Sequence, residues 1–130
     1  MRDVADDTVS AIIEKWSTAF RRLDADALSS FYSKHAFFFG SNPRLYRGRD
    51  GVKAYFNGLP RWASPTVRFT DRAATLVNPD LINSAATASF VVEEGTPPLL
   101  VKITWVIVRE DGIWKIASHH VSSTTPLIEQ

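Results

Sequence analysis

The stretch GIWKIASHHVSSTTP, residues 112–126, decides how this chain is read. Glu110-Asp111-Gly112 leads into it, and an Asp-Gly pair between two apolar runs is the signal of a tight hairpin, because both turn positions favour positive φ. The stretch is therefore the returning strand of a hairpin. It carries two of the three histidines of the chain, His119 and His120, side by side. Neighbouring residues on a strand point to opposite faces of the sheet, so one histidine looks inward, the other outward, and the two do not act as one unit.

Working back from the hairpin, residues 99–108 continue the strand pattern. Residues 66–76 (TVRFTDRAATL) and 83–93 (NSAATASFVVE) are threonine- and valine-rich, bounded by Asn78-Pro79-Asp80 and by Gly95-Thr96-Pro97-Pro98. These predict long antiparallel strands joined by turns, a four-strand meander ending in the histidine strand. The first half has a different period. From Thr8 onward, Val9, Ile12, Ile13, Trp16, Ala19, Phe20 and Leu23 recur at three- and four-residue steps, one face of a helix. Asp24 caps a second helix with Leu28, Phe31 and Tyr32 as its apolar stripe, closed by Ser33-Lys34-His35. Residues 36–39 read as a short buried strand, Leu45 and Tyr46 as another, and residues 50–59 as a third helix ended by Pro60. The order predicts an α+β fold, three helices before a four-strand meander, in a single domain over residues 1–130.

Composition limits the partners. Fifteen basic and fourteen acidic residues give a formal net charge of +1, which supplies no long-range field for nucleic acid. The opening MRDVADDTVS is acidic and polar where a signal peptide is basic and then apolar, and no apolar run approaches the ~20 residues of a membrane span. The expectation is a cytoplasmic protein with neither a nucleic-acid nor a membrane partner. Zero cysteines exclude disulfides, thiolate catalysis and sulfur-built zinc sites. Neither an HxH nor an HxxxH spacing occurs, so neither a metal nor a cofactor is expected.

Three segments, WSTAFRRLDADALSSFYSKHAFFFG (16–40), YRGRDGVKAYF (46–56) and VREDGIWKIASHHVSS (108–123), resemble the nuclear transport factor 2-like superfamily. Within it they resemble the SnoaL-like proteins and the calmodulin-dependent protein kinase II association domain. The resemblance implies a cone-shaped fold, a strongly bent antiparallel sheet wrapped around the N-terminal helix, with a cavity at the wide end and a homodimer built on the outer sheet face. It also implies that the residues at Ala117, His119, Val121 and Ser123 face the cavity, whereas Ile116, Ser118 and His120 face the partner. Alternation along the strands adds Phe90 and Val92 to that outward stripe.

The same resemblance permits a test of known chemistries. In the ketosteroid isomerases of this fold the general base falls near Gly40, the oxyanion tyrosine at Trp16 and the protonated acid near Ile103, Thr104 or Trp105. Glycine has no proton acceptor, indole only donates, and the strand segment holds no carboxylate, so that chemistry is not expected. An aromatic cavity with few polar groups remains. Its candidate ligand-binding residues are Trp16, Phe20, Phe38, Arg44, Tyr55, Leu59, Trp62, Glu93 and Trp105, with Arg44 suited to an anionic group and Glu93 bordering the cavity only if the Thr87, Ser89 and Val91 face turns inward. Each aromatic taken alone reads first as plain core packing, since large aromatics mostly supply buried area.

Two functions follow. One is a SnoaL-like small-molecule binder or cofactor-free enzyme acting on an apolar, weakly acidic or polycyclic compound, with His119 as the catalytic residue, accepting a proton or orienting a carbonyl. The other is a self-association module like the kinase association domain, with its working surface on the sheet.

Overall fold

Asp3 sets the start of the first helix. Its carboxylate accepts the Ala5 and Asp6 amides at 2.9 and 3.2 Å, so α1 (Val4–Arg21) begins ahead of Thr8, where the apolar stripe alone had placed it. The computed structural model describes residues 3–129; the expected domain ends, Met1, Arg2 and Gln130, lie outside the described residues. Val9, Trp16, Ala19 and Phe20 form the buried face of α1. Asp24 caps α2 (Ala25–Ser30) through the Ala27 amide at 3.0 Å.

The second helix is shorter than its stripe suggested. Tyr32, read as part of its stripe, and Ser33 to His35, read as its close, instead open β1 (Tyr32–Phe39). Tyr32 pairs in parallel with Ile116, and the Ile116 amide donates to the Phe31 carbonyl at 2.9 Å. A pairing with a segment more than eighty residues away thus overrides a local pattern equally compatible with helix. Next come β2 (Leu45–Arg47), α3 (Gly48–Asn57), β3 (Thr66–Asn78), β4 (Leu81–Val91), β5 (Leu99–Glu110) and β6 (Ile113–Ser123). Asp111 and Gly112 turn the last hairpin at φ 53° and 78°, as a two-residue turn of this hand requires.

The sheet order is β2-β1-β6-β5-β4-β3, so the meander supplies four of six strands and the β1–β2 pair extends it through a parallel contact with β6. The helices lie on one face of this curved sheet, with α1 packed against β3. Bulges bend it. In β3 one falls between Thr70 and Ala73, where Asp71 takes φ 49°. In β6 another sits at Ala117, since Val106 pairs with Ser118 and Ile107 with Ile116. Among the described residues no helix is long and apolar enough to cross a membrane.

The Ala117 bulge corrects the expected faces. An extra residue reverses the alternation, so Ile116 points inward with 0% exposure, opposite buried Ile107, while His119 also points inward, opposite buried Trp105. Ile116 is therefore core, not part of an outward stripe. Phe90 and Val92 are likewise inward: they continue the buried Ile82, Ser84 and Ala88 face of β4, and Phe90 packs on Phe20 at 5.2 Å between ring centroids. Of the five residues expected to face a partner, only His120 is exposed.

Candidate functional site

Pairing on both sides of β6 builds the site. Phe38 of β1 and Trp105 of β5 both sit opposite His119. The Phe38 ring stacks on the imidazole at 4.0 Å and 20°. Tyr32, at the start of the same strand, reaches His119 from the side, and its own carbonyl is held by Arg49 Nε at 2.9 Å. Arg49 also bridges to Glu110 at 2.6 Å, and Ser33 donates to the same carboxylate at 2.5 Å, tying β1, α3 and β5 together around Tyr32.

Four buried side chains form one chain of hydrogen bonds. Trp16 Nε1 donates to Tyr32 Oη at 3.0 Å, Tyr32 Oη lies 2.9 Å from His119 Nδ1, and Trp105 Nε1 donates to the same Nδ1 at 2.9 Å. Indole nitrogen only donates, so Nδ1 must carry a lone pair. Tyr32, which receives the Trp16 proton, then directs its own hydroxyl proton at Nδ1. The neutral ring proton is left on Nε2. Burial holds the imidazole neutral by pushing its pKa down to about 3, with the nearby His120 lowering it further, and burial raises the Tyr32 phenol well above its usual range.

Nε2 has a different environment from Nδ1. Among the described residues every fully enclosed side-chain nitrogen or oxygen has a partner, and the bonds of His119 all run to Nδ1. Nε2 is therefore the edge that meets open volume. That volume is a pocket of about 100 Å³. Its inner wall is Trp16, Phe20, Phe38 and Phe56; Phe90, Val101 and Val121 line the sheet side; Leu59, Trp62, Val92 and Leu99 stand around it from the loops and strand ends. Ser41 and Tyr55 close the remaining side, the Tyr55 hydroxyl donating to Ser41 Oγ at 2.7 Å and accepting the Ser41 amide at 2.9 Å.

Gly40 is what seats Tyr55. A Cβ there would meet the tyrosine ring at 2.4 to 2.6 Å, and that ring is wedged against Phe38 at 4.7 Å and Phe56 at 5.1 Å. Gly40→Ala is expected to destabilise the protein by about 2 kcal/mol through overpacking. Shrinking the ring with Tyr55→Leu in the same chain should recover part of the loss. Denaturant titration of the two single variants and the double variant checks this; strictly additive costs would show that Gly40 and Tyr55 are uncoupled.

Of the residues expected around a cavity, Trp16, Phe20, Phe38, Tyr55, Leu59, Trp62 and His119 line this pocket. Three do not. Arg44 is exposed on the loop before β2 with its guanidinium 4.9 Å over the Tyr46 ring, an ordinary surface cation–π contact. Glu93 is exposed beyond the end of β4, on the outward parity of Thr87, Ser89 and Val91. Trp105 is buried behind His119 and acts on the pocket through its bond to Nδ1. Sequence reasoning missed Phe90 and Val92, whose side was assigned wrongly, and the bond from Tyr32, which was read as a helix residue. The one signal for Phe90 was its shared parity with Ala88 and Ile82, the small and apolar face of β4.

The sequence profile of the SnoaL-like domain matches residues 9–126, and the chain belongs to that family. Solved structures agree on the fold. A Xanthomonas campestris protein provisionally assigned as a calcium/calmodulin dependent protein kinase II association domain superposes with a TM-score of 0.84 at 19% identity, over 97% of this chain and 91% of its own. A provisionally assigned dehydratase of the NTF2-like family from Streptomyces avermitilis gives 0.80 at 19%, over 93% and 97%. The hexachlorocyclohexane dehydrochlorinase of Novosphingobium barchaimii gives 0.74 at 17%, over 92% and 86%. No curated protein matches the chain in sequence.

Proposed function

We propose that the chain binds a small, predominantly apolar, uncharged compound in the pocket beneath β6, without a cofactor, and that His119 is its polar contact. The observation that carries this reading is the unengaged Nε2 edge of a buried imidazole facing an aromatic-lined space. Two structural neighbours bear enzyme names, a dehydratase and a dehydrochlorinase, which supports a small molecule as occupant. A pocket of about 100 Å³ suits one ring better than a polycyclic compound, and Arg44 stands too far out to meet an acidic one. Any catalysis at His119 in this state runs by hydrogen-bond donation, since Nδ1 is occupied and Nε2 already holds its proton.

Phe90→Asp places a charge in this wall and tests the reading. Tryptophan fluorescence titrated with compact monocycles should report binding to the wild type and at least a tenfold weaker response in the variant, since a charge stranded among apolar groups costs well over ~1.4 kcal/mol. Val92→Asp, nearer the mouth, repeats the test should Phe90→Asp fold poorly. Wild-type titrations flat for every monocycle would remove the proposal.

Self-association through the outer sheet face is a second reading, favoured by one feature. Phe37, 51% exposed, lies on β1 beside Phe39 and His120, whose rings are 5.2 Å apart, giving a largely apolar patch on the sheet face suited to a second copy of the chain. Light scattering at micromolar concentration should then give a dimer mass that Phe37→Asp or His120→Ala lowers while ligand titrations stay unchanged. A wild-type monomer ends this reading.

A further inference from the structure

We infer that the pocket is a hydrogen-bond-donor site selective for a compact cyclic ketone, an uncharged single ring whose only polar feature is an acceptor oxygen. The inference rests on the ligand-pocket reading and adds the chemical class of the ligand.

Three observations converge. First, the donor-only Trp105 indole aimed at Nδ1, with Tyr32 aimed at the same atom, fixes the neutral ring with its proton on Nε2. A neutral imidazole presented this way polarises a carbonyl and has nothing with which to accept a proton from a hydroxyl. Second, Phe38 covers one imidazole face at 4.0 Å, so a ligand meets His119 at its Nε2 edge, in line with the N–H bond. Third, the space matches one ring. A cavity of ~150 Å³ lined by apolar side chains holds benzene, and this one, about 100 Å³, has Leu99, 53% exposed, in its lining, so it is open to solvent on that side. Lysine and arginine are absent from its lining, so a carboxylate would enter without a counter-charge. The Tyr55 hydroxyl proton is already given to Ser41.

Cyclohexanone and cyclohexanol separate the idea cleanly, being nearly equal in shape and differing in the hydroxyl proton; toluene serves as the hydrocarbon. On wild-type protein labelled with 15N-histidine, NMR should show His119 with Nδ1 unprotonated and Nε2 protonated. Cyclohexanone should shift the Nε2 proton downfield and bind about tenfold more tightly than cyclohexanol, whose proton finds no acceptor on His119. An Nδ1-protonated His119 overturns the inference. So does equal affinity for ketone and alcohol, or toluene binding with no Nε2 response to the ketone, and in those cases the ligand-pocket reading stands. Failure of all three probes to bind at millimolar concentration takes down both.

Discussion

Replacing Trp16 by alanine is expected to destabilise the protein by about 3–5 kcal/mol, the cost of deleting a large aromatic from a packed core. Trp16 is 2% exposed and lies within 6.2 Å, centroid to centroid, of Phe20, Phe56, Phe69, Phe90 and Trp105. It joins α1 to β3, β4 and β5 in one step, so the loss is shared by the helix and the sheet it packs on. Its second role is separable. Trp16→Phe keeps a six-membered ring in the core and removes the five-membered half of the indole together with the N–H that Tyr32 accepts, which should cost about 2 kcal/mol, a smaller cavity plus one lost hydrogen bond. Chemical denaturation of the two variants checks the ratio. Equal losses would mean that the five-membered half of the indole with its hydrogen bond, rather than the remaining ring packed in the core, is what Trp16 contributes.

The fold was legible where local chemistry decides it. Asp24 as a cap, the Asp111-Gly112 turn and the three-and-four spacing from Val9 to Phe20 each force a conformation on their own few residues. Legibility failed where a distant partner decides. Leu28, Phe31 and Tyr32 fit a helix stripe, and only the parallel pairing with Ile116 turns Tyr32 into a strand residue. The Ala117 bulge leaves no mark in the alternation of the sequence, yet it puts both Ile116 and His119 inside. Strict period two, which the bulge breaks, had to make one of them outward.

The candidate site followed the same division. Its helix-borne aromatics, Trp16, Phe20 and Tyr55, were readable because amphipathic spacing marks an inward face whatever that face packs against. The chain Trp16, Tyr32, His119, Trp105 was not. Tyr32 and His119 are 87 positions apart, and nothing in either neighbourhood announces that one will donate to the other. Once that bond is known, the role of His119 narrows. Sequence left it free to accept a proton or to orient a carbonyl, and with Nδ1 engaged by Trp105 and Tyr32 only the second is open to it in the proposed site.

Acid should expose the same imidazole as the weak point of the fold. Burial lowers the His119 pKa from 6.5 to about 3, so between those values the unfolded chain binds a proton there that the folded chain refuses. Stability tied to this group is complete above pH 6.5 and is lost as pH falls toward 3, at ~1.4 kcal/mol per pH unit, or about 3 kcal/mol by pH 4. The sign follows from the structure: protonating Nδ1 would set a new N–H against the Trp105 donor and force the Tyr32 hydroxyl to turn away, inside a site with no counter-charge on its lining. Carboxylates titrate in the same range, so wild type must be compared with His119→Gln, which lacks the ionisable ring while keeping polar atoms for Tyr32 and Trp105. Denaturation free energies measured from pH 8 to pH 4 should converge as the pH drops, with the wild type ahead at pH 8 and the gap shrinking through the window below pH 6.5. Curves that stay parallel would show that His119 ionises as readily folded as unfolded, and the buried, doubly bonded Nδ1 would then not describe the protein in solution.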